Sequence, residues 1–186
     1  MRYVIGFLIS VGLIILVLVM IFRGGGDPAP APNASKRMVD YANTSTVVQF
    51  IDDYKVSHDS THRQIVTTVG RDAVTLVVET GYEGTILRSQ TYPNNPTAYA
   101  NFLRALQVAG YTNGDNSAGL RDERGYCPSG RRFVFEIKDG ARSIQRYWST
   151  SCGNIGSFKG RSDTVRSLFQ RQVPDYSKLT SGVQLF

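Results

Sequence analysis

Cys127 and Cys152 are the only two cysteines of the chain. Two thiols are too few for a structural zinc site, and without a C-x-x-C spacing they do not form a redox-exchange motif. The expected reading is a structural disulfide, ahead of two reduced buried thiols or a catalytic thiol. Both lie equally far from the centre of Asp139-Gly140. Asp-Gly between apolar runs signals a two-residue hairpin turn, which would pair Lys138 with Ala141, Phe135 with Ile144 and Arg131 with Trp148, and so bring the two cysteines together. A bridge closing a loop of about 25 residues would add about 3 kcal/mol of stability in the chain-entropy model. It would also require an oxidising compartment.

Other residue types with chemical potential are sparse. His58 and His62 stand four apart and are weak candidates for a metal pair, with Asp52, Asp53 or Asp59 to complete the shell. The zinc-protease version of this spacing needs a helix and a Glu after the first His, whereas here Asp59 follows in a polar loop. Asp52-Asp53 and Asp122-Glu123 read as solvated carboxylates at turns. Serines are present without a G-x-S-x-G elbow. The glycine-rich run from Cys152 to Gly160 lacks the phosphate-loop pattern, although the amides of Ser162 to Thr164, beside Lys159 and Arg161, would form an anion-binding helix start. The expectation is a protein that binds rather than catalyses, with no cofactor.

Charge indicates where it would bind. Residues 36–120 carry seven Lys/Arg against eight Asp/Glu, whereas 121–171 carry eleven against five, so the net charge of +6 belongs to the second half. Arg131, Arg132, Arg142, Arg146, Tyr147, Lys159 and Arg161 form the candidate contact surface, because Arg and Tyr supply many interface hot spots. Outside a cell the matching polyanions are cell-wall polymers, lipid head groups and acidic proteins; nucleic acid is not expected.

The elements that must position these residues follow from periodicity. Thr46–Ile51, Gln64–Val69, Ala73–Thr80 and Thr85–Tyr92 read as strands separated by turn signals. Asn95 and Pro96 open a helix whose stripe is Tyr99, Phe102, Leu103 and Leu106, closed by Gly110. A long polar loop, Thr112–Arg124, leads to the hairpin of Arg132–Lys138 and Ala141–Trp148, where Phe133, Phe135, Ile137, Ile144 and Trp148 are expected on one face. A second helix starts at Ser162, buries Val165, Leu168 and Phe169, and stops before Pro174. The order ββββαββα predicts an α+β fold, an antiparallel sheet of about six strands with two helices on one face.

Residues 3–22 are uncharged and apolar, long enough for a transmembrane helix. Residues 23–38 form a Gly/Ala/Pro-rich linker, and 39–186 form the domain. Charge alone does not orient the span, since Arg2 is opposed by Arg23, Lys36 and Arg37. The cysteines favour an outside domain. Gly6-Phe7 after a basic residue admits a pilin-like subunit assembling through its N-terminal helix, although Val11 stands where such segments carry Glu. A metal-dependent envelope enzyme is a third reading.

The runs Asp122-Glu123-Arg124-Gly125-Tyr126-Cys127-Pro128, Arg146-Tyr147-Trp148-x-Thr150-Ser151-Cys152-Gly153 and Pro174-Asp175-Tyr176 resemble a group of uncharacterised single-pass membrane proteins of Saccharibacteria and related candidate-phylum bacteria. The resemblance implies a bacterial envelope protein; with the cysteine argument, the expectation is a single-pass protein of the cell membrane whose C-terminal domain is extracytoplasmic. It carries no activity or site residues.

Overall fold

The structure, a computed structural model, describes residues 37–153 and 155–183. Six strands, β1 (Thr46–Asp53), β2 (Arg63–Val69), β3 (Ala73–Thr80), β4 (Thr85–Pro93), β5 (Arg132–Asp139) and β6 (Arg142–Thr150), form one antiparallel sheet. Their order across the sheet is β4-β3-β2-β1-β5-β6. Helices α1 (Pro96–Val108) and α2 (Ser162–Gln170) follow where periodicity expects them, and a short α3 (Tyr176–Leu179) is additional. The fold is α+β. The expected membrane span and most of the linker lie outside the described residues, among which no helix is long and apolar enough to cross a membrane.

Alternation in β1 sets the architecture. Thr46, Val48, Phe50 and Asp52 are buried on one face, and the residues between them are half-buried on the other. Phe50 stacks on Phe135 at 5.6 Å and meets Phe169 of α2, which stands edge-on to Phe102 of α1 at 5.2 Å. Both longer helices therefore close on this face. Burying a side chain such as Phe50 stabilises the fold by about 1.5–3 kcal/mol. Two tyrosines fasten the layers, Tyr99 donating to the Thr46 carbonyl and Tyr111 lying 2.8 Å from that of Gln49 and 3.0 Å from that of Glu136. Asn95 caps α1 by accepting from the Ala98 amide, as its sequence predicts.

The hairpin register differs from the expectation. Gly140, at φ 58°, takes the first central position of the turn, where a type II′ turn requires glycine, so Asp139 pairs with Arg142. A bulge between Ile137 and Lys138 shifts the pairing again, and Phe135 faces Tyr147 rather than Ile144. Trp148 consequently pairs with Val134, on the face opposite Phe133, Phe135 and Ile137. That face is also buried at β5, where the loop over residues 112–131 covers it. Asp52 and Asp53 are a further correction. They extend β1 instead of ending it, and Asp52 is fully buried.

Candidate functional site

The disulfide forms, but not as a cross-strand pair. Ser151 donates to the Arg131 carbonyl, which carries the β5–β6 pairing one residue beyond the strands and leaves Cys127 out of register with Cys152. The chain then turns from Cys127, at φ 49°, to Gly130, whose amide donates to the Cys127 carbonyl at 3.1 Å. This turn brings the two cysteines together with Cα atoms 5.7 Å apart. A Cβ at Gly130 would collide with Cys127 Sγ and would lie 2.6 Å from Ser151 Oγ and 2.8 Å from Cys152 Sγ. Gly130→Ala is therefore expected to hinder oxidation. A Cys127→Ser/Cys152→Ser chain should lose about 3 kcal/mol in urea unfolding, and an unchanged midpoint would assign the bridge no stabilising role.

Most of the arginines proposed for a contact surface are spent inside the molecule. Arg131 donates to both carboxylate oxygens of Asp52 and stacks over the Tyr54 ring at 4.6 Å. Arg132, only 4% exposed, pairs with Asp53 at 2.6 Å and donates to the Tyr54 carbonyl. Arg146 grips both oxygens of Glu123 at 2.6 Å, so Glu123 is not the solvated carboxylate expected. Tyr147 is buried in the core. Arg142 is exposed beside Asp139, and Arg161 is exposed and donates to the Val108 carbonyl. Sequence composition counts these cations but not their partners, which come from β1 and from the loop over 112–131.

Burial raises the Asp52 carboxyl above its ordinary value, against the hydrogen bond and charge of Arg131 and the charge of Arg166. Burial likewise raises Asp53, against Arg132 and His62, with Glu123 adding to the rise. A carboxyl raised on folding holds its proton more tightly in the folded chain, so its contribution is present at low pH and is lost as pH rises from about 4 through the raised value. Asp52→Asn lacks that slope. Its Tm relative to the native chain is expected to climb across the interval, and a constant difference in a pH series of melts would show that Arg131 offsets burial fully.

The histidines are not brought together. His58 is exposed and accepts from the Ser60 amide, while His62 is 2% exposed, 3.0 Å from Asp53 and stacked on Tyr82 at 4.2 Å. Among the described residues no group of three or more His, Cys, Asp or Glu is arranged to hold a metal ion.

A cleft of about 460 Å³ opens between the end of β6 and the start of α2. Phe133 and Phe158 line it with Ser149, Ser151, Ser162 and the cations Lys159 and Arg166. Arg166 lies over the Phe133 ring at 4.0 Å and meets Asp163, a carboxylate on the same wall, at 3.0 Å. Lys159 donates to the Gly156 carbonyl. Arg161 precedes α2 without capping it through its side chain, so the first amides of the helix receive no side-chain acceptor from the N-cap position. Of the residues singled out in the sequence, Lys159 and the Ser162 helix start meet here; Arg166 was missed because it falls on a helix with an ordinary (i, i+3) acidic neighbour. Neither a family model nor a curated protein sequence matches this chain.

Proposed function

We propose that this chain is a single-pass, membrane-anchored extracytoplasmic protein whose α+β domain binds an anionic group of the cell envelope and does no chemistry on it. The observation that carries the reading is the cleft itself, where two cations, a row of hydroxyls and the uncapped start of α2 face one space. Such a wall suits a phosphate- or carboxylate-bearing polymer, because fixed amides and cations offset its charge without reorganising. The anchor rests on the apolar run at 3–22, and the outside location on the disulfide.

The basic surface of the sequence reading narrows accordingly. Arg131, Arg132 and Arg146 serve internal pairs, and removing them would unsettle the fold before it informed on binding. The informative variant is Lys159→Ala with Arg166→Gln. In full-length protein held in detergent, titration with a glycerol-phosphate polymer should show binding that weakens with salt and is lost in the double variant. Binding of unchanged strength in the variant, or none by the native chain, would overturn the reading.

A further inference from the structure

We propose that the free edge of β4 pairs with β4 of a second copy of this chain, antiparallel about a two-fold axis at Gln90, joining two sheets edge to edge. The two ends of the sheet are treated differently. At β6 the C-terminal end of the outer edge is occupied: Ser149 bridges to Gly156, Phe158 donates to the Trp148 carbonyl, and Ser157 Oγ accepts from the Trp148 amide. Among the described residues the sheet stops at β4, with β3 on one side only. Eight of the nine residues of β4 are exposed, Ile86 at 62% and Leu87 at 54%, and Arg88 is its one charged residue. Edge strands are ordinarily blunted by lysines, shortness or a covering segment, since an open row of N–H and C=O groups is a template for another strand. Here the described part of the C-terminal segment meets β4 at side chains, Tyr92 donating to the Pro174 carbonyl and Arg88 to that of Leu179, and among the described residues none pairs with its outer backbone edge.

The strand itself specifies the occupant. The register irregularity of the β3–β4 pair lies at Val78/Glu79 and leaves Leu87 without a direct partner on β3, while Arg88 to Pro93 run regularly. An axis at Gln90 gives the longest run of like-facing pairs, from Leu87 to Pro93. Arg88 then faces Tyr92 of the other copy, a cation beside an aromatic ring, Ser89 faces Thr91, and exposed Leu87 faces Pro93. No like charges oppose each other, because Arg88 meets Tyr92 and not its own image. Moving the axis by one residue either way shortens the run, at Leu87 through the bulge or at Pro93 through the strand end.

The test uses the full chain in detergent. Antiparallel partners have Cα atoms about 4.5–5.5 Å apart, within disulfide reach, so Gln90→Cys should form a linked dimer under mild oxidation while Thr75→Cys, on β3, does not. Light scattering should give a dimer for the native chain and a monomer for Ser89→Lys, with the melting temperature of that variant matching that of the native chain diluted until it is monomeric. Three outcomes would overturn the proposal. They are a native chain that is monomeric at every concentration, a dimer that Ser89→Lys leaves intact and that is therefore held elsewhere, and a Gln90→Cys linkage no faster than that of Thr75→Cys.

Discussion

Replacing Asp53 by leucine is expected to destabilise the domain by about 3–5 kcal/mol, while adding Arg132→Met to the same chain is expected to restore most of the loss. Arg132 and Asp53 are cross-strand partners on β5 and β1, with side chains 5% and 15% exposed. Leucine at 53 would leave the Arg132 guanidinium buried without its carboxylate partner, an uncompensated charge away from water. The converse change is milder. Arg132→Met leaves a carboxyl that burial already biases toward its neutral form, and His62 remains 3.0 Å away. Its cost should grow as pH rises, which the Asp53→Leu cost should not. The double replacement removes both desolvated charges and leaves apolar side chains of similar size, the arrangement that often equals or exceeds a buried ion pair. Urea unfolding of the two single variants and the double variant at two pH values measures all three costs. Additive losses in the double variant would mean that the pair has no mutual dependence, and the account of this site would fail.

Much of this architecture was legible from local signals, and most of the failures arise from partners far along the chain. The Asn95–Pro96 start of α1 and its stripe are set by residues within one turn of each other, so the sequence carries them whole. Asp52-Asp53 looks like a turn because acidic pairs usually seek water. It continues β1 because Arg131 and Arg132, some eighty residues later, arrive beside it to meet the charges. Cys127 and Cys152 were paired for a geometrical reason that does not hold, since Gly140 enters the turn one place earlier than expected and a bulge shifts the rest. The bridge forms through the Cys127–Gly130 turn instead. Of the surface cations, sequence order could not separate Lys159, which lines the cleft, from Arg146, which is committed to Glu123. Partner choice at long range distinguishes them, and a single sequence does not contain it.

Trp148 is where the displaced register has its largest consequence. Had it shared the face of Phe135, it would be one aromatic among many in the helix-covered core. On the opposite face it is fully buried, its Nε1 donates to the Leu120 carbonyl at 2.7 Å, and Tyr126 packs on its ring at 4.9 Å. The loop over 112–131 contains one short 3₁₀ turn, Ala118–Leu120, so it keeps its place by what it touches and by the disulfide at its end. Trp148→Ala is therefore expected to cost about 3–5 kcal/mol, as deep aromatic truncations do, and to expose this loop before the sheet unfolds. Trp148→Phe keeps most of the packing and removes only the indole N–H, so its cost should be about 1 kcal/mol. Limited proteolysis separates this from general loosening. Cleavage confined to 115–126 in Trp148→Ala, with Phe50 and the helices still protected in hydrogen exchange, is the expected pattern. Uniform loss of protection would mean that both faces of the sheet form one cooperative core, and that the loop owes its position to the whole fold instead of to this one side chain.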